Sequence, residues 1–69
     1  SDPEAQWAKF QRAGAFLHLG DYAACLPIFD EIAASKSPWA AHARLKAAYA
    51  RLEQTLRGRV PIVMASVGE

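Results

Sequence analysis

Leu19-Gly20-Asp21-Tyr22-Ala23-Ala24-Cys25-Leu26-Pro27-Ile28-Phe29 joins two segments of helical apolar periodicity through a Gly-Asp corner. Glycine ends a helix because it takes positive φ without steric cost at the position after the last turn. Asp21 then caps the next helix by accepting a hydrogen bond from an amide that has no partner inside that helix. A helix, a tight corner and a second amphipathic helix make an antiparallel αα-hairpin, the unit from which helical repeats are built. Units of this kind hold other proteins far more often than they carry out chemistry.

Working outward, Trp7, Phe10, Gly14 and Leu17 recur at i, i+3, i+7 and i+10 on the N-terminal side of the corner. That spacing predicts a first helix from residue 3 or 4 to residue 19, with Asp2 as cap and Pro3 in the first turn. Ala5, Ala8, Phe16 and Leu19 lie on the opposite side, so this helix calls for cover on two sides. The second helix is expected over residues 22–35, with Tyr22, Cys25, Phe29, Ile32 and Ala33 facing inward. Pro27 removes one amide and crowds the carbonyl of Ala23, so a continuous but mildly bent helix is expected. Ser37 caps a third helix whose first position is Pro38 and which is expected to end at Gly58.

Two stripes run along that third helix. Trp39, His42, Leu45, Tyr49, Leu52 and Leu56 form a large apolar one, and Trp39 and Tyr49 are expected in the core. Ala40, Ala43, Ala47 and Ala50 form a small one, against which another backbone can approach closely. After Gly58 the sequence turns β-branched and proline-interrupted. Residues 60–69 are therefore read as an apolar C-terminal tail on a domain of residues 1–59, with Val60, Ile62, Val63 and Met64 docking in this domain's groove or on a neighbouring chain.

Size and composition narrow the function classes. A chain of 69 residues is one small domain, and a domain of this size buries only about 60% of its unfolded surface. Such domains lean on disulfides, metals or other chains. Cys25 is the single cysteine, which rules out an internal disulfide and fits a reducing, cytoplasmic compartment. Ser1-Asp2-Pro3-Glu4 carries neither the basic nor the apolar region of a signal peptide. No run of about 18 apolar residues is present, so no membrane span is expected. Residues 1–37 hold three basic and five acidic side chains, a net of −2, whereas residues 38–59 hold five basic and one acidic, a net of +4. Helices 2 and 3 with that basic face outline a helix-turn-helix, a nucleic-acid alternative. The acidic N-terminal part and the lack of Asn or Gln early in helix 3 argue against it.

No catalytic or metal constellation is legible, and neither an enzyme nor a cofactor is expected. Cys25 sits on an apolar face, where a thiol stays protonated and inert. Neither His18 nor His42 has a partner at i+3 or i+4 that would build such a site on its own helix. Asp30 and Glu31 are adjacent and point apart on a helix.

Ala13, Phe16, Gly20, Asp21, Tyr22, Cys25 and Phe29 match the small, aromatic, Gly-x-Tyr, small, aromatic spacing of the tetratricopeptide repeat. Leu26-Pro27-Ile28-Phe29 resembles the Leu-Pro-x-aromatic stretch common in that family's second helix. Over residues 4–54 the chain resembles a degenerate tetratricopeptide repeat followed by the first helix of another. Lys9, Arg12 and Lys46 depart from the pattern, and Pro38 falls one residue late. The resemblance implies a non-enzymatic protein-interaction module with a groove between helices 1 and 3 that holds an apolar helix or extended peptide. Carried over residue by residue, the groove has Trp7, Phe10, Leu17 and His18 as its aromatic wall, Ala43 and Ala47 as its floor and Arg51 at its edge. A structural role, as a self-assembly element or homo-oligomer or as part of a longer helical array, is the alternative.

Overall fold

The computed structural model describes the backbone of residues 3–67 and the side chains of residues 3–58. It is all-helical over those residues, with α1 at Pro3–His18, α2 at Tyr22–Ala33 and α3 at Ala40–Val67. The first corner forms as its residues dictate, and at the second α3 begins at Ala40 rather than at Pro38. Gly20 has φ +79°, the only positive φ among the described residues. Its amide donates to the Leu17 carbonyl at 3.0 Å, and the Asp21 amide donates to the Phe16 carbonyl at 2.8 Å. These are the paired bonds of a Schellman ending. The Asp21 carboxylate accepts from the Ala24 amide at 3.2 Å and so caps α2. At the second corner the Ser37 hydroxyl accepts from the Trp39 amide at 3.0 Å, and the Ser35 hydroxyl donates to the Ile32 carbonyl at 2.6 Å.

A Cβ at position 20 would meet only the tip of the flexible Arg57 side chain, at 3.0 Å. The cost of Gly20→Ala is therefore backbone strain in the left-handed region, about 1–2 kcal/mol. A urea midpoint lowered to that extent, with helix content retained, is the expected result.

α2 is the central element and packs against both α1 and α3. Its Tyr22, Cys25, Phe29 and Ile32 are buried at i, i+3, i+7 and i+10, as the sequence periodicity requires. Pro27 lies inside the helix without ending it. Both Pro27 and Ala23, whose carbonyl loses its intrahelical donor, are exposed, so water can bond that carbonyl. α1 contributes Ala13 to the core, with Phe10, Phe16 and Leu17 packed against it. Ala5, Ala8 and Leu19 stay exposed, so α1 is covered on one side only.

Beyond its start, α3 differs from the expectation in two ways. Its small stripe faces inward: Ala43, Ala47 and Ala50 are buried against α2. Its large stripe faces outward, with Leu45, Tyr49, Leu52 and Leu56 between 51% and 69% exposed. Tyr49 is thus not a core residue, whereas Trp39 is partly buried against the core. The physical reason is complementary volume. α2 already presents Tyr22, Phe29 and Ile32, and alanines opposite them let the two backbones close without voids or overpacking. Secondly, α3 does not end at Gly58. The left-handed conformation that would make Gly58 a terminator is not adopted, and the backbone continues as helix to Val67. The docking expected of Val60, Ile62, Val63 and Met64 lies outside the described side chains.

Candidate functional site

Between α1 and α3 runs a cleft of about 450 Å³, lined by Gly14, Leu17, His18, Lys46, Tyr49, Glu53 and Arg57. Two sequence features open it. Gly14 places no side chain there and has nothing within 4 Å of the Cβ it lacks. The α3 alanines turn toward α2, which leaves Lys46, Tyr49, Glu53 and Arg57 as the α3 wall of the cleft.

Glu53 and Arg57 of the cleft wall belong to one cluster with Tyr22. The Tyr22 hydroxyl donates to Glu53 Oε2 at 3.2 Å. Arg57 approaches the same oxygen at 3.6 Å, and its guanidinium carbon stands 5.9 Å from the centroid of the Tyr22 ring. Apart from the cleft, Trp7, Phe10 and Trp39 form an aromatic cluster, with ring centroids 4.6 Å apart for Trp7–Trp39 and 5.8 Å for Trp7–Phe10. An apolar hollow of about 300 Å³ lies beside it, lined by Pro3, Glu4, Trp7 and Trp39. Trp7 remains 40% exposed there.

Trp7 lines the separate apolar hollow and Phe10 packs against the core, while Leu17 and His18 line the cleft. Three other expected residues do not. Ala43 and Ala47 are inside the core and cannot form a groove floor. Arg51 stands on the opposite flank of α3 and makes a two-pronged ion pair with Asp30 of α2, at 3.2 and 2.6 Å. The expected groove was apolar, and the observed one is mixed, with Lys46, Tyr49, Glu53 and Arg57 supplying most of its α3 wall. Those four follow one another at spacings of three and four residues. That helical signal was present in the sequence, but a search for apolar periodicity passes over it.

Among the described residues no group of three His, Cys, Asp or Glu side chains could hold a metal ion. Cys25 is buried, and its thiol donates to the Tyr22 carbonyl at 3.7 Å. No described helix is long and apolar enough to cross a membrane.

Burial pushes the Cys25 thiol above its ordinary value of 9.0. Burial, then the bond to Glu53, raises the Tyr22 hydroxyl above 10.0. Tyr49 is raised as well, chiefly by hydrogen bonding to Glu53. In each case the folded chain holds the proton more tightly than the unfolded one. The stability linked to these groups is complete below their unfolded values and declines as pH climbs through the raised ones. The expected result is a urea midpoint that is flat across neutral pH and falls as the pH passes the unfolded values, 9.0 for the thiol and 10.0 for the two phenols. An unchanged midpoint there would contradict the Tyr22–Glu53 arrangement.

No protein-family profile matches this chain, no characterised protein does, and no solved structure does.

Proposed function

We propose that this chain is a non-enzymatic protein-interaction module of tetratricopeptide-like design, holding a partner segment in the cleft between α1 and α3. The cleft itself carries the reading. A small helical domain keeps an open furrow of about 450 Å³ between two of its helices, and Gly14 and the inward-turned alanines keep it from closing. The occupant that suits it is a helix or extended segment with alternating apolar and charged side chains. Its apolar groups would meet Leu17 and Tyr49, and its charges would meet Lys46, Glu53 and Arg57. The aromatic cluster at Trp7, apart from the cleft, offers a separate anchor, because large aromatics dominate interface energetics. The hairpin corner and the Leu26-Pro27-Ile28-Phe29 stretch support the family resemblance.

Gly14→Leu tests this. Space for the new side chain is open, and leucine is the better helix former, so the fold is retained while the cleft is filled. Covalent cross-linking in the cells that make the protein should trap a partner with the wild type and lose it with Gly14→Leu and with Trp7→Ala. A trapped partner indifferent to both substitutions, or none at all, overturns the reading.

A further inference from the structure

The outer face of α3 lies opposite its buried alanines, and its Lys46, Tyr49 and Glu53 border the cleft as well. Leu45, Tyr49, Leu52 and Leu56 follow one another at spacings of four, three and four, the seam pattern of a coiled coil. All four are more than half exposed. On one flank of this seam stand Ala41, Ala48 and Thr55, which are exposed and small. On the other flank stand Lys46 and Glu53, one heptad apart and of opposite charge. Lys46 forms no ion pair among the described residues.

We infer that a second copy of this chain covers this face, its α3 packed antiparallel on the first about a two-fold axis near residues 50 and 51. The charges decide both the occupant and the direction. In an antiparallel pair, like flanks of the two seams face each other. Leu45 then meets Leu56 of the second copy, and Tyr49 meets Leu52. Lys46 lies opposite Glu53 of the second copy, and Glu53, whose Oε2 already holds Tyr22 and Arg57 within its own chain, lies opposite its Lys46, so the two pairs are related by symmetry. The small flank sets Ala48 against Thr55 and leaves the backbones free to approach. In a parallel pair the opposite flanks face each other instead. Glu53 would then meet Ala48, Tyr49 would meet Tyr49, and no opposite charges would come together.

Sedimentation equilibrium of the full chain, from micromolar to millimolar concentration, tests this. A reversible dimer is expected. Leu52→Glu, and Leu45→Glu as a second variant, should be monomeric throughout with unchanged circular dichroism, since both positions face water in the monomer. Lys46→Glu sets glutamates against each other twice and should weaken the dimer roughly tenfold. Adding Glu53→Lys, in a double variant whose circular dichroism matches the wild type despite the lost Tyr22–Glu53 bond, should restore it, because the reciprocal pairs are remade with their signs exchanged. A monomeric wild type, a dimer indifferent to Leu52→Glu and Leu45→Glu, or a double swap as weak as Lys46→Glu each overturns the inference. A monomeric wild type whose partner is still lost with Gly14→Leu overturns the dimer while leaving the cleft reading intact. A dimer with no trapped partner does the reverse. A different protein trapped by the wild type and lost with Leu52→Glu, from a chain monomeric alone, assigns the seam to that protein instead.

Discussion

Phe29→Ala abolishes most of the helical signal at room temperature. Phe29 is fully buried in the middle of α2, and Phe10 of α1 meets its ring edge-on at a centroid distance of 5.6 Å. It is the largest fully buried side chain, and α2 is the element on which both other helices rest. Truncating a buried phenylalanine to alanine costs about 3–5 kcal/mol through lost burial and the cavity left behind. A domain of this length has only about 3–10 kcal/mol of stability in total. The loss is thus of the order of the whole, and collapse around the gap is limited because the neighbours on α3 are alanines that cannot reach into it. Far-UV circular dichroism and urea titration of the variant check this. A cooperative transition with a midpoint close to that of the wild type would show that the Phe29 cluster does not hold the three helices together.

The second large effect separates the two faces of α3. Ala47→Leu should destabilise the fold by about 1–3 kcal/mol, because Ala47 is 3% exposed and extra methylenes force α2 and α3 apart. Leu45→Ala, two residues away and 69% exposed, should change the unfolding of the monomer by no more than about 0.5 kcal/mol. Hydrophobicity alone predicts the reverse order, since one change adds apolar surface and the other removes it. Equilibrium unfolding at a concentration where the chain is monomeric measures both. A destabilising Leu45→Ala combined with a neutral Ala47→Leu would mean that α3 is rotated by half a turn from its described position.

Helix ends were readable where local chemistry is sufficient to set them. Gly20, Asp21 and Ser37 act through their own backbone torsions and their own side-chain oxygens, within a few residues, so identity and order suffice. The inner face of α2 was readable for a related reason. Tyr22, Cys25, Phe29 and Ile32 are its most apolar face, and a helix lying between two others must bury that face. Gly58 shows the limit of such signals. The same residue type that ends α1 is passed through by α3, because a glycine only permits the left-handed conformation and does not impose it.

What the sequence by itself determined is therefore the helical class, the two corners and the central helix with its buried face. What only the tertiary structure decided is which way α3 turns, and with it the cleft. Both stripes of α3 are apolar at helical spacing, so periodicity is indifferent between them. The choice rests on volume across the interface, where the bulk already supplied by Phe29, Ile32 and Tyr22 leaves room for alanine and none for leucine. That rotation buries Ala43 and Ala47, carries Arg51 to Asp30, brings Lys46, Tyr49, Glu53 and Arg57 to the cleft and leaves the leucine seam facing outward. Each of these follows from a fit between two helices, which is a property of the pair and is not written in either helix alone.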